Sequence, residues 1–190
     1  MANVSAAERG KTRSKLAQAA TELFYEQGVS NTTLADIAAA SGVPLGNVYY
    51  HFKTKDELIG AVVEARVREL KQLFEAADCG ATPRAKLQAL LGDGRTHSDV
   101  LVHHGCPYAS LIHDLDKLGS AQDAGKLLQL YLGYAEEQFS AMTGEDATAL
   151  AAEFVSRLQG AYLLANALNS PALLSQQLDR LESWLETVSS

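Results

Sequence analysis

Apolar residues recur at three- and four-residue steps along almost the whole chain, and strict apolar–polar alternation is nearly absent. That period belongs to amphipathic helices, so the pattern predicts an all-α fold. A first helix is expected over Ala6–Gln27, with Leu16, Ala19, Ala20, Leu23 and Phe24 on one face and Gly28 as its stop. A short helix carries Leu34, Ile37 and Ala38, a turn follows at Ser41-Gly42-Val43, and a second short helix opens at Pro44. Lys53 and Lys55 lead into a long helix reaching about Ala77, with Leu58, Val62, Ala65, Leu70, Leu73 and Phe74 in phase. Thr82 and Pro83 start the next, carrying Leu87, Leu90 and Leu91; Gly92 and Gly94 inside it predict a kink or a flexible segment. Further helices are expected from Pro107 to Leu118, Ala121 to Met142, Asp146 to Asn169 and Pro171 to Val188, with a break at Gly144. Residues up to about Ser5 are expected to be disordered.

The stretch from Thr33 to Leu58 carries the most chemistry. Two short helices joined by a tight glycine turn, the second rich in exposed polar and aromatic side chains, form the helix-turn-helix plan for the DNA major groove. Thr32 or Thr33 can cap the first of them, and Asp36, three residues after Thr33, makes a loose capping box. Hydroxyls at a helix N-terminus also suit a phosphate. Gly42 allows the left-handed backbone of a steep helix junction, and Pro44 suits a helix start. Gly46 is a poor helix former, which points to close backbone approach by a partner surface. Asn47 can pair with a base edge, adenine above all. Tyr49, Tyr50 and His51 present groups suited to phosphates, with Lys53 and Lys55 adding charge beside them. The i, i+3 spacing of Tyr49 and Phe52 reads equally as core, with Phe52 the stronger candidate.

The run G-V-x-x-G-x-V-Y-Y-H-F-K-T-K-D-E-L, preceded by A-x-E-L-F-Y-E-Q-G-V-x-N-T-T-L-A-D-I-A, closely resembles the DNA-binding domain of TetR-type transcriptional regulators over roughly Lys11–Ile59. The resemblance implies an all-helical, homodimeric, usually repressing regulator, with a DNA-binding domain at residues 6–54 and a ligand-binding and dimerisation domain at 55–190. It implies phosphate binding at Thr33. It also implies that Gly46, Asn47 and Tyr50 face the bases or groove, and that Tyr49, His51 and Lys55 clamp the backbone. Leu45 stands where many relatives have Lys; a Leu cannot read guanine but can pack on a thymine methyl.

Composition taken as a whole argues against DNA binding, because the net charge is −7. Up to Gly60, however, six basic residues (Arg9, Lys11, Arg13, Lys15, Lys53, Lys55) balance six acidic ones, so the deficit lies downstream. The basic footprint needed for phosphates is therefore local to the reading head. The N-terminal sequence lacks the apolar run of a signal peptide, and no stretch reaches transmembrane length, so a cytoplasmic protein without membrane association is expected. Cys79 and Cys106 are then expected reduced.

Within the larger domain, Leu174, Leu178, Leu181, Leu185 and Val188 form one stripe, and Phe154, Leu158, Ala161, Ala165 and Leu168 another. They read as a two-fold dimer interface or as intrachain core; a dimer would require an inverted-repeat operator. Cys106, before Pro107, is a plausible helix N-cap whose thiolate the helix end and His103 or His104 would stabilise. Gly105-Cys106 also resembles a TetR-type subgroup that includes electrophile sensors, although a small buried Cys that merely packs has the same appearance. An organic ligand would be lined by Cys106, Tyr108, Ile112, Tyr131, Phe154, Tyr162 and Asn166, with Leu128 and Phe139 as further candidates. A metal at His97, His103, His104, His113 and Asp114 is disfavoured because adjacent histidines point apart on a helix. No cofactor motif and no nucleophile–base–acid constellation is present; Ser110, His113 and Asp114 share one short helix by ordinary chance. The reading is therefore a non-enzymatic repressor that binds double-stranded operator DNA. A small-molecule inducer, or modification of a cysteine by an electrophile or oxidant, releases it. The alternative is a DNA-binding protein without an inducer.

Overall fold

A computed structural model describes residues 6–119, 121–143 and 146–188. The disorder expected up to about Ser5 and the break at Gly144 lie outside these residues. Among the described residues ten helices follow one another: α1 (Ala6–Gln27), α2 (Leu34–Ser41), α3 (Leu45–His51), α4 (Lys55–Ala77), α5 (Pro83–Thr96), α6 (Ser98–His104), α7 (Pro107–Lys117), α8 (Ala121–Met142), α9 (Ala147–Ala167) and α10 (Pro171–Thr187). No strand occurs among the described residues. The chain divides into two compact units. One comprises the chain up to Arg68 with Leu111–Ala124, and the other Glu69–Ser110 with Gly125–Ser190. Helices α4, α7 and α8 each run from one unit into the other. No described helix is long and apolar enough to cross a membrane.

Helix α1 buries Leu16, Ala17, Ala19, Ala20 and Phe24 and ends at Gly28, whose φ of 86° only glycine adopts without strain. Helix α2 is opened by a complete capping box. The Thr33 hydroxyl accepts from the Asp36 N–H, and the Asp36 carboxylate accepts from the Thr33 N–H. Its end is a left-handed Gly42 whose N–H reaches the carbonyls of Ala38 and Ala39. Pro44 then occupies the N-cap of α3. A related arrangement starts α4: the Thr54 hydroxyl takes the Glu57 N–H, and the Glu57 carboxylate reaches one residue further back to the Lys53 N–H.

In the second unit, α5 is unbroken from Pro83 to Thr96, contrary to the kink expected at Gly92 and Gly94. Gly94 is buried there against a tyrosine, so its small size serves packing. The pattern also missed the short helix α6. Helices α9 and α10 pack on each other, and their apolar stripes are intrachain core. Phe154, Leu158, Ala165, Leu174, Leu178 and Leu185 have no exposed surface at all. From the stripes read as a possible dimer face, Leu168 alone emerges, at 66% exposure. Arg95 ties α5 to α10 through Asp179 and Glu182, at 3.0 and 2.6 Å.

Candidate nucleic-acid interface

The two short helices of the first unit put one face of α3 inward and the other outward. Val48 is completely buried, and Phe52 just past the helix end is too, which settles Phe52 as core. The opposite face carries Leu45, Gly46, Asn47, Tyr49 and Tyr50, all exposed; Tyr49 stands 53% and Tyr50 63% open to solvent. A Cβ placed on Gly46 would meet nothing within 4 Å. The protein itself thus has no steric need for a glycine that costs α3 about 1 kcal/mol against alanine. An apolar leucine, two aromatic rings and an unfilled glycine on one exposed, seven-residue helix make a surface shaped for close approach by a partner.

Around that face, several predicted contact groups are already engaged within the protein. The Thr33 hydroxyl donates to Asp36 at 2.6 Å, which with the backbone bond from Thr33 holds the Asp36 carboxyl below its ordinary range. A phosphate at this end would meet the first N–H groups of α2 more readily than the hydroxyl. The Lys55 ammonium donates to the carbonyls of Val29 and Thr32, at 2.5 and 2.8 Å, so two of its three N–H groups fasten the α1–α2 turn. Arg13 donates to the His51 carbonyl at 2.9 Å and lies 4.2 Å over the Phe52 ring. It fills the C-terminal end of α3 with a cation, where the helix dipole favours one. Half-buried His51 titrates below the usual histidine range, first through burial and then through the charges of Arg13 and Arg9. Its ring meets Tyr50 edge-on at 5.2 Å. Lys53 remains exposed at the lead into α4.

The second unit gathers part of the set read as ligand-lining. Gly105 adopts φ 77° and ψ −166°, a conformation essentially reserved for glycine, which turns the chain sharply between α6 and α7. Cys106 follows, buried, and its carbonyl accepts the Ser110 N–H at 2.9 Å; it thus holds the N-cap position of α7. The phenols of Tyr131 and Tyr162 titrate well above the usual range, chiefly because burial disfavours their charged forms. Cys106, Tyr108 and Asp93 act on both from within electrostatic reach. Asn166 donates to the Val102 carbonyl at 2.8 Å and stands beside Gly105, tying α9 to α6. Phe154 belongs instead to an aromatic group with Phe139, which also meets Trp184. Ile112 falls in the other compact unit. Among the described residues no group of three or more His, Cys, Asp and Glu side chains is placed to hold a metal.

One residue escaped the sequence reading. Gln159, three positions before Tyr162 in α9, has both amide atoms buried without a hydrogen-bond partner. An amide left in this state costs roughly 1–3 kcal/mol, a cost that a hydrogen-bonding group reaching it would relieve. Only its place in the register of Val155, Tyr162 and Asn166 hinted at this.

The family model for bacterial regulatory proteins of the tetR family matches residues 16–62. The HTH-type transcriptional regulator SrpR of Pseudomonas putida is 37% identical over 121 residues, 60% of this chain and 56% of that one. The uncharacterized HTH-type transcriptional regulator TtgW of the same species is 36% identical over 121 residues, 60% of this chain and 90% of that one. The matched region thus spans little more than half of SrpR but nearly all of TtgW. Among solved structures, a TetR regulator from Chloroflexus aurantiacus superposes with a TM-score of 0.83 at 22% identity, covering 95% of this chain and 97% of its own, which speaks for the fold. With the helix-turn-helix in place, the family model over it and a relative matched along nine-tenths of its length, the chain belongs to the TetR family of transcriptional regulators.

Proposed function

We propose that the protein is a homodimeric repressor. Residues 6–54 bind an inverted-repeat operator, and residues 55–190 dimerise and bind a small molecule that releases the DNA. The observation that carries this reading is the outer face of α3, where Leu45, Tyr49 and Tyr50 are exposed and Gly46 is open to close approach. On it Asn47 reads a base and Leu45 packs on a thymine methyl. Tyr49, His51 and Lys53 hold phosphates, with Thr33 and the remaining N–H of Lys55 beside them. The inducer is held noncovalently near Tyr108, Tyr131, Tyr162 and Cys106. The buried position of Cys106 supports this over direct attack by an electrophile from solvent. Operator and inducer affinities are then linked by a single coupling factor. For the dimer, α9 and the residue that ends it leave Leu163, Leu164 and Leu168 exposed, the kind of apolar surface a second copy covers.

The test is fluorescence anisotropy on a duplex selected from random sequence by the wild type. Asn47→Ala should cost about 1–3 kcal/mol on that duplex and much less on an unselected one. Equal losses on both would remove Asn47 from base reading, and failure to select any duplex would refute the repressor.

A further inference from the structure

The α1–α2 turn is held from both sides. On one side Lys55 takes the carbonyls of Val29 and Thr32. On the other, the Val29 N–H donates to a carboxylate oxygen of Asp114 at 2.8 Å, across 85 residues of sequence. Gly28 makes this approach possible: a Cβ there would lie 3.2 Å from the same oxygen, and its φ of 86° already requires glycine. The turn has little slack. Val29 is fully buried, the Thr32 hydroxyl bonds the Gly28 carbonyl at 2.8 Å, and the Thr32 N–H bonds the Val29 carbonyl. The next residue, Thr33, is the cap of α2. Whatever moves Val29 therefore moves the start of α2.

Asp114 sits near the end of α7, and the opening of that eleven-residue helix is the Gly105–Cys106 turn among the buried tyrosines. We propose that Asp114 is the positioning residue through which α7 sets the α1–α2 turn, so that a displacement at the Cys106 end of the helix reaches the operator-binding helices through the Val29 N–H. This rests on the repressor reading and names the residue that links its two activities. A helix is stiff along its axis, and the carboxylate–N–H bond is charge-assisted, stronger than a neutral one. Loss of the bond leaves Lys55 as the side chain that still fastens the turn from α4.

The test is a double-mutant cycle read by operator affinity on the selected duplex. Asp114→Ala removes the bond, and Gly105→Ala disturbs the opening of α7 through its backbone. Gly105→Ala should change affinity about fivefold or more in the Asp114 background and less than about twofold beside Asp114→Ala, the non-additivity that marks coupled sites. Asp114→Asn, which keeps an oxygen for the Val29 N–H, should restore most of the coupling. A residue that merely supported the fold would give equal changes in both backgrounds, and that result overturns the proposal. Tyr108→Ala serves as the second disturbance should Gly105→Ala not fold. Amide exchange supplies a reading without DNA. Val29 should exchange about tenfold faster in Asp114→Ala while α9 and α10 amides stay unchanged, as for loss of one charge-assisted bond; an unchanged Val29 rate is equally fatal. A wild type that selects no duplex overturns the repressor reading and this proposal together, whereas selection with additive effects overturns the proposal alone.

Discussion

Gly94 and Gly92 lie two residues apart on α5, and alanine should act in opposite directions at the two. A Cβ at Gly92 meets nothing within 4 Å, whereas one at Gly94 would lie 2.5 Å from the Tyr162 hydroxyl oxygen and 3.2 and 3.3 Å from two ring carbons. Helix propensity alone makes each substitution favourable by about 1 kcal/mol. At Gly92 that gain stands unopposed. At Gly94 the Tyr162 hydroxyl must retreat by about 1 Å to regain ordinary separation, yet Tyr162 is buried along with Ala161 and Ala165 of its own helix, with little room to yield. Overpacking of this kind costs about 1–3 kcal/mol, which outweighs the propensity gain and leaves a net loss of about 1 kcal/mol. Tyr162→Phe removes the nearest atom, so the double variant should recover most of that loss. Urea denaturation of the wild type, Gly92→Ala, Gly94→Ala, Tyr162→Phe and the double variant measures each term. Protein concentration is held fixed, so that the proposed dimer contributes equally to every variant. Gly94→Ala stabilising by as much as Gly92→Ala would refute the close packing of Tyr162 on α5, and with it the arrangement of the buried tyrosine cluster.

Three further outcomes follow from the geometry. His51 has a lowered pKa in the free protein, below the usual 6.5, while a phosphate beside it would favour the imidazolium. Operator binding should therefore take up a proton and tighten as pH falls through the window between the free and bound values. The unfolded chain, binding that proton more readily, gains on the fold as pH falls below 6.5. Anisotropy between about pH 5.5 and 8, on wild type and His51→Gln, checks the first part; an identical slope in both proteins rules it out. Lys55→Ala should destabilise the head by about 1–3 kcal/mol through loss of two charge-assisted bonds, and should flatten the salt dependence of operator binding by about one unit if the third N–H holds a phosphate. A stability loss with an unchanged salt slope assigns Lys55 wholly to the turn. Leu164→Glu with Leu168→Glu should convert a dimer to the 20.3 kDa monomer by light scattering, with helical content preserved; an unchanged mass places the interface elsewhere.

What the sequence disclosed was governed by distance along the chain. The helix-turn-helix was legible because its determinants are local: the Thr33–Asp36 box, left-handed Gly42 and Pro44 lie close together and act through the backbone between them. Apolar periodicity likewise placed α1 and α4 at their observed bounds, since burial of one face is written into the spacing of its own residues. Where the reason for a residue sits on another element, the same signals misled. A glycine that accommodates Tyr162 from α9 reads as a helix breaker when only α5 is in view. The leucine stripe of α10 has the same period whether its partner is α9 of the same chain or a second copy, and only the folded structure assigns it to α9. Arg13 and Lys55 announce positive charge beside a reading head, but not that the carbonyls of His51, Val29 and Thr32 already hold part of it.

Charge count and charge availability are therefore different quantities in this head. Arg13 and Lys55 are committed to the carbonyls of His51, Val29 and Thr32, whereas Lys11, Lys15 and Lys53 stand exposed, the charges that the proposed operator complex would draw on for phosphates. A cation that fastens a turn fixes where the uncommitted groups point, and orientation contributes to operator specificity where one more phosphate contact would add only salt-dependent affinity. Asp114 belongs to the same arrangement from the acidic side. It is one acidic residue among 23 in composition, and one that decides the position of α2 once the Val29 N–H is seen to rest on it.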